Sequence, residues 1–389
     1  MSEYQYYEFQ ALDRPLTQEQ MALLRDISSR ARITPHSFVN EYNFGSFKGS
    51  PDQWMERYFD AFLYFANWGS RRFMLRLPAK LLDSKGVEPY CVGESLSCER
   101  KKDCIVLSFD AELEDLEWDE ETISLASLIP IRADLMRGDR RALYLGWLLA
   151  VQCRELDDDD LEPAVPPGLG DLNGSLDCLA NFLGIDPDLI AAAAESSANS
   201  QLPTPSKNEI ENWVRSLPSA DKEAIITRLV DGDDPHIAAE VRQRAVSEIT
   251  AASGGAGERP RRTAGEIVAR AESLASERKR KAAEKRAKEK AKRERAEAEA
   301  RRKHLESLVG KQNDLWSKVD KLIATKQPRR YDDAVSLLKD LHDLAQLKGE
   351  GAEFKHRMAA LQRANAAKGT LIERFRKAQL LEYEGEEAS

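Results

Sequence analysis

A chain of 389 residues has room for two to four compact units, and its 42% hydrophobic residues can supply their cores. Charged residues reach 32% and the net charge is −9. The longest nearly uninterrupted apolar run, Ala142 to Val151, is half of what a bilayer needs, so the chain is expected to lie outside membranes. Five cysteines, an odd number, argue against a disulfide scaffold. A start of Met1-Ser2-Glu3-Tyr4 carries no basic or apolar leader, and the two features together predict a reduced, cytoplasmic protein.

Of the 28 aromatic residues, 16 fall within the first 78, which places the densest core at the N-terminus. Tyr6–Leu12 reads as a strand. Thr17-Gln18-Glu19-Gln20 is a capping box with Leu16 and Met21 at the staple positions, and the helix after it aligns Met21, Leu24 and Ile27. Phe38–Phe47 reads as extended and stops at Lys48-Gly49. Ser50-Pro51-Asp52-Gln53 is a second capping box with proline at the first helical position. A helix over Asp52–Trp68 is expected, apolar nearly all round through Trp54, Tyr58, Phe59, Phe62, Phe65 and Trp68, and therefore buried between layers. Exposed, those rings beside Arg71, Arg72 and Arg76 would stack bases; six large rings at helical spacing favour core. Arg71–Leu77 and Cys104–Phe109 read as strands, and a helix through Leu135–Cys153 closes an α+β domain over residues 1–155.

From Glu155 the composition changes. Six acids in the eight residues to Glu162, then three prolines and three glycines before residue 175, predict a linker over 156–175. Small helical modules are expected over 176–250, separated around 200–206, and a flexible hinge over 251–263. Residues 264–304 predict one long charged helix, roughly 60 Å at 1.5 Å per residue. Between Glu277 and Lys303 stand 14 Lys or Arg and six Glu, a local charge of +8 that leaves −17 on the rest. Five pairs have Glu four residues before a cation (277–281, 284–288, 289–293, 297–301 and 299–303), and alanine fills most other positions, both favouring helix. Residues 305–381 regain apolar periodicity as a three-helix array, with turns at Gln327-Pro328 and Gly349–Gly351, before an acidic tail at 382–389.

Leu315-Trp316 and Tyr331-Asp332-Asp333-Ala334-Val335 resemble one tetratricopeptide-type helix pair, without a second copy. The stretch Leu322-Ile323-Ala324-Thr325-Lys326-Gln327-Pro328 through Asp340-Leu341-His342-Asp343-Leu344-Ala345 resembles the helical C-terminal segment of bacterial SWIM zinc-finger proteins, over about the last 80 residues. That family's Cys-x-Cys…Cys-x-His motif is absent, so no zinc role carries over. The chain as a whole resembles an uncharacterised bacterial family, which implies no activity.

Cys91, Cys98 and Cys104, spaced seven and six apart, lack the close pairs of structural zinc and read as ordinary thiols. The acidic run lacks a calcium-loop pattern. Neither a phosphate-binding loop nor a nucleophile elbow is present, and five scattered histidines nominate no catalytic base. No cofactor, metal or small-molecule substrate is predicted. The candidate contacts to nucleic acid or an acidic partner are Arg278, Lys279, Arg280, Lys281, Lys285, Arg286, Lys288, Lys290, Lys292, Arg293, Arg295, Arg301, Arg302 and Lys303. Alanine gives this helix no face for a membrane, and no apolar heptad sustains a coiled coil through it. Trp316, Tyr331, Phe354 and Phe375 are candidate docking residues for a protein partner. The expected function is a non-enzymatic adaptor joining two binding surfaces through a charged strut. The alternatives are a DNA- or RNA-binding accessory subunit of a bacterial helicase or defence-type complex, and an enzyme of unknown class in residues 1–155.

Overall fold

The computed structural model describes residues 3–45, 47–113, 124–198, 205–232, 234–252 and 261–381; most of the expected hinge and the acidic tail lie outside them. The chain divides into two compact units, Met1–Lys279 and Arg280–Ser389.

Unit 1 is built on a seven-stranded, wholly antiparallel sheet: β1 (Gln5–Gln10), β2 (Arg32–Thr34), β3 (Ser37–Tyr42), β4 (Ala61–Ala66), β5 (Ser70–Pro78), β6 (Leu96–Arg100) and β7 (Cys104–Glu112), in the order β2-β3-β1-β4-β5-β7-β6. The side-chain period of two sends alternate residues to two cores. Leu63, Phe65, Phe73, Leu75, Leu107 and Phe109 enter the larger one. Phe9, Phe38, Phe62, Met74 and Val106 enter the smaller, aromatic one with Trp54 and Phe59.

Helix α1 (Gln18–Ile27) starts at the Thr17–Gln20 capping box, both of whose hydrogen bonds form. Helix α2 (Pro51–Arg57) starts at Ser50, whose side chain accepts from the Gln53 amide. The expected helix to Trp68 ends at Arg57, and its second half is β4. Ala61–Ala66 pairs with β1 on one side and β5 on the other and is buried on both faces. A central strand buried this way reads as a continuous apolar run, which periodicity cannot tell from a buried helix. Trp68 is exposed at the hairpin turn into β5.

That turn requires Gly69. Its φ is +107°, and a Cβ there would sit 2.0 Å from the Leu113 carbonyl oxygen. Gly69→Ala is expected to destabilise unit 1 by roughly 2 kcal/mol or more, since backbone strain and displacement of the neighbouring chain add. Thermal unfolding reads this directly; an unchanged midpoint would contradict the geometry.

Helices α3 (Ser84–Val87), α4 (Leu125–Leu128), α5 (Pro130–Met136) and α6 (Arg141–Gln152) follow. The expected single helix through Leu135–Cys153 is broken: α5 ends before Gly138, at φ +89°, and α6 restarts at Arg141. All ten residues Ala142–Val151 are buried. Helices α7 (Gly174–Leu183) and α8 (Pro187–Ala194) add Leu179, Phe182 and Leu189 to the same core, and Leu169 joins them. Residues 156–175 are thus part of unit 1's core and not a linker. The acidic run is not merely solvated either. The Asp160 and Asp158 carbonyls accept from the Ala264 and Gly265 amides at 2.9 and 3.0 Å. They satisfy orphan donors in the first turn of α12 (Ala264–Ser307), where acidic residues also suit the helix dipole. Helices α9 (Lys207–Ser216), α10 (Ser219–Asp231) and α11 (Ile237–Ala252) enclose a small core of Trp213, Leu217 and Ala245.

The unit boundary falls inside α12. In unit 2, α13 (Gln312–Ala324), α14 (Pro328–Lys348), α15 (Gly351–Ala364) and α16 (Gly369–Lys377) pack around Val319, Leu338, Met358 and Leu371. Four helices stand after α12 where three were expected, because the last stretch breaks between Asn365 and Lys368. The fold class is otherwise the one expected: an α+β N-terminal part, helical modules, a long charged helix and C-terminal helices.

Candidate functional site

Residues 279–300 of α12 are exposed on every side. The segment stays helical on alanine content and local ion pairs, not on packing. Of the five pairs expected, Glu299–Lys303 forms at 2.7 Å. Lys290 pairs with Glu294 at 3.9 Å, Arg293 with Glu297 at 2.7 Å and Arg302 with Glu306 at 2.9 Å. The ends of the basic stretch serve the fold. Arg278 reaches Asp188 at 2.7 Å, and Arg301 binds Asp340 and, at 2.6 Å, Asp343.

Removing these paired cations from the 14 candidates leaves a pattern. Lys281, Lys285, Lys288, Lys292 and Arg295 have no ion pair among the described residues, and neither do Lys279, Arg280 and Arg286. The first five follow steps of four, three, four and three. At 3.6 residues per turn that confines them to an arc of about 80° over about 21 Å of helix. No acid falls within this arc between Lys281 and Arg295; Glu284 stands at its edge. Lys279, Arg286, Lys290 and Arg293 occupy the opposite face, where two of the four are engaged by glutamates. The helix therefore presents one purely cationic row of fully solvated side chains.

The candidate docking aromatics lie elsewhere. Tyr331, Phe354 and Phe375 are buried in the core of unit 2 and cannot meet a partner. Trp316 is half-buried, packed on Phe354 with ring centroids 5.7 Å apart and under the Arg357 guanidinium at 5.4 Å. Aromatics spaced for a helix–helix seam are used as one. Exposed apolar side chains stand instead on α10, where Ile226, Leu229 and Val230 form a short stripe.

Cys91 and Cys98 contact each other: the hydrogen bond from Cys91 pushes its own thiol up and draws the Cys98 thiol down. Cys104 is buried apart from them in the start of β7. Among the described residues no three His, Cys, Asp or Glu side chains converge as a metal site, and no helix is long and apolar enough to cross a membrane.

A constellation that sequence reasoning missed lies at one end of the sheet, where the C-terminal ends of β1 and β5 meet the N-terminal ends of β4 and β7. Asp60 is 2% exposed and accepts from the Leu12 and Asp13 amides at 2.7 and 2.9 Å and from Arg76 at 3.0 Å. Arg132 holds Asp13 bidentately at 2.9 and 2.6 Å and donates to the Arg76 carbonyl at 2.7 Å. His236, just before α11, meets Asp13 at 2.9 Å. Beside it, Lys80 and Arg228 share Asp234 and Glu240. All of these side chains except those of Arg228 and Glu240 line a cleft of about 540 Å³.

The network sets a pH dependence. The Lys80 ammonium holds Asp234 well below the usual carboxylate range, and Arg228 draws Glu240 down. Burial works against ionisation of Asp13, but Arg132 and His236 outweigh it and lower its pKa as well. A carboxyl depressed in the folded state adds stability that is full above its unfolded pKa, about 3.9 for Asp, and is lost as pH falls through the folded value. The urea midpoint of unit 1 is therefore expected to fall steadily below about pH 4, and Lys80→Ala to flatten part of that fall. An identical pH profile in the variant would remove Lys80 from the account.

No family model, curated protein or solved structure matches the chain.

Proposed function

We propose that the protein is a non-enzymatic cytoplasmic adaptor that lies along a nucleic-acid backbone through the cationic row of α12 and offers its globular units to protein partners. The observation that carries this reading is the row itself. Five unpaired, solvated cations on one face repeat about every 5 Å of helix, a linear charge suited to a linear polyanion. The interleaved glutamates favour a plain spacer, but none of them falls within the row between Lys281 and Arg295. Alanine between the cations offers no side chain for base stacking, so the contact is to phosphates and indifferent to sequence. We assign protein docking to the α10 stripe and to the C-terminal helices, the part similar to the helical tail of SWIM zinc-finger proteins.

The test is fluorescence anisotropy of labelled duplex DNA and single-stranded RNA with the full chain and two charge-matched variants. One carries Lys281, Lys285, Lys288 and Lys292→Gln; the other carries Lys279, Arg286, Lys290 and Arg293→Gln. Loss of binding in the first alone supports the row. Equal loss in both reduces it to bulk charge, and no binding by the natural chain leaves α12 as a spacer.

A further inference from the structure

The cleft at the sheet end holds more positive charge than its own acids use. Asp60, Asp13 and Asp234 are each committed, to Arg76, Arg132 and Lys80 respectively. Arg14 and Arg57 line the same cleft and form no ion pair among the described residues. The Nε–H of Arg76 is buried there without a hydrogen-bond partner. The Cys104 thiol, also in the lining, lies against the same guanidinium and, with Asp60, favours its charged form.

We infer that this cleft binds a small organic phosphate. Two guanidiniums without an ion pair among the described residues call for a ligand with several acceptor oxygens to share between them. A phosphoryl group offers three terminal oxygens; a single carboxylate offers two. Guanidinium forks match phosphate oxygens in pairs, which suits arginine over lysine for this task. A volume of about 540 Å³ exceeds what one phosphoryl group fills and lies in the range of small-molecule sites. The walls suit an organic remainder: the half-buried Tyr58 ring adjoins Arg57, with Leu16 and Leu77 nearby. Asp103, also in the lining and without an ion pair among the described residues, offsets one of the two free cations and leaves a surplus of one positive charge.

Binding here would also bear on α9–α11, because Asp234 and His236 belong to the lining and hold that helical group to the sheet. The ligand is thus placed to report on, or set, the docking of this module.

The experiment is titration calorimetry with inorganic pyrophosphate, and with citrate as the carboxylate control. It uses the full chain already carrying the four lysine-to-glutamine changes on α12, so that the helix contributes no phosphate affinity. One-site binding of pyrophosphate is expected, weakened roughly tenfold or more by Arg14→Gln with Arg57→Gln. Both residues are exposed and unpaired, so the variant keeps its fold, which circular dichroism verifies. Absence of binding at about 10 mM, far weaker than a built phosphate site should be, overturns the assignment. So does affinity indifferent to the two substitutions, or citrate binding more tightly than pyrophosphate. None of these outcomes depends on whether α12 binds nucleic acid.

Discussion

Glu162→Ala is expected to remove about 3–5 kcal/mol of the stability of unit 1, the cost of breaking a buried pair by taking one partner away. The carboxylate is 1% exposed. It accepts from Arg262 Nε and Nη2 at 3.0 and 2.7 Å and from the Tyr144 hydroxyl. Tyr144 is wholly buried, with its ring 5.5 Å from that of Trp147. Removing Glu162 strands a phenol and a guanidinium that is only one-fifth exposed. Arg262 would keep its bonds to the Ala192 and Ala193 carbonyls, which places the loss nearer the lower bound. Glu162→Gln retains an acceptor and size, and is expected to cost about half as much. Urea unfolding followed by tryptophan fluorescence separates the two variants; a loss below about 1 kcal/mol for alanine would show the network to be replaceable.

The magnitude matters because of where Glu162 sits in the chain. Its amide donates to the Arg262 carbonyl at 2.9 Å, and Leu161 bridges Thr263. Thr263 in turn opens α12 with its own reciprocal cap, its hydroxyl accepting from the Glu266 amide and its amide donating to the Glu266 carboxylate. The end of the acidic run therefore clasps the root of the charged helix, and the first turns of α12 bury Ile267 and Ala271 in the main core. A variant that weakens the clasp is expected to loosen the root of α12 together with the core.

What the sequence conveyed, and what it withheld, follows from how far each interaction reaches. Local rules served well: the Thr17–Gln20 box, Pro51 at a helix start and the buried run Ala142–Val151 all act within a few residues. Ala61–Ala66 misled because a strand buried on both faces has no period to read. Gly138 breaks α5 from α6 through a positive φ that spacing alone does not announce. The short edge strands β2 and β6 carry too few apolar residues to stand out, with Arg32–Thr34 only three residues long. The 156–175 segment looks like a linker by composition, yet Leu169 anchors it in the core. The sheet-end network was out of reach for a plainer reason. Asp13 meets Arg132 across 119 positions and His236 across 223, separations at which no spacing signal survives. The cationic row was legible: steps of four and three lysines mark one helix face as surely as apolar ones do. Counting charge without its phase concealed it.

That phase gives the proposed nucleic-acid contact a numerical signature. If all five cations of the row neutralise phosphates on a duplex, log K should fall against log salt with a slope of about −4.5, or about −3.5 on a single strand. Between 50 and 200 mM salt the duplex affinity then drops roughly 500-fold. Exchanging Lys281, Lys285, Lys288 and Lys292 for glutamine leaves only Arg295 and should bring the duplex slope to about −1. The opposite-face quartet changes the net charge by the same amount but should leave the slope near that of the natural chain, because those side chains point away from the strand. A slope that shrinks equally in both variants would mean a diffuse electrostatic cloud in place of an aligned face. A slope clearly steeper than about −4.5 would require cations beyond the row, with Lys279, Arg280 and Arg286 the first to examine; all eight together would give about −7. Glutamine keeps the helix propensity of lysine, so a change in binding cannot be assigned to unwinding of α12. The row thus differs from a generic basic segment in one measurable respect: which four charges are removed matters more than how many.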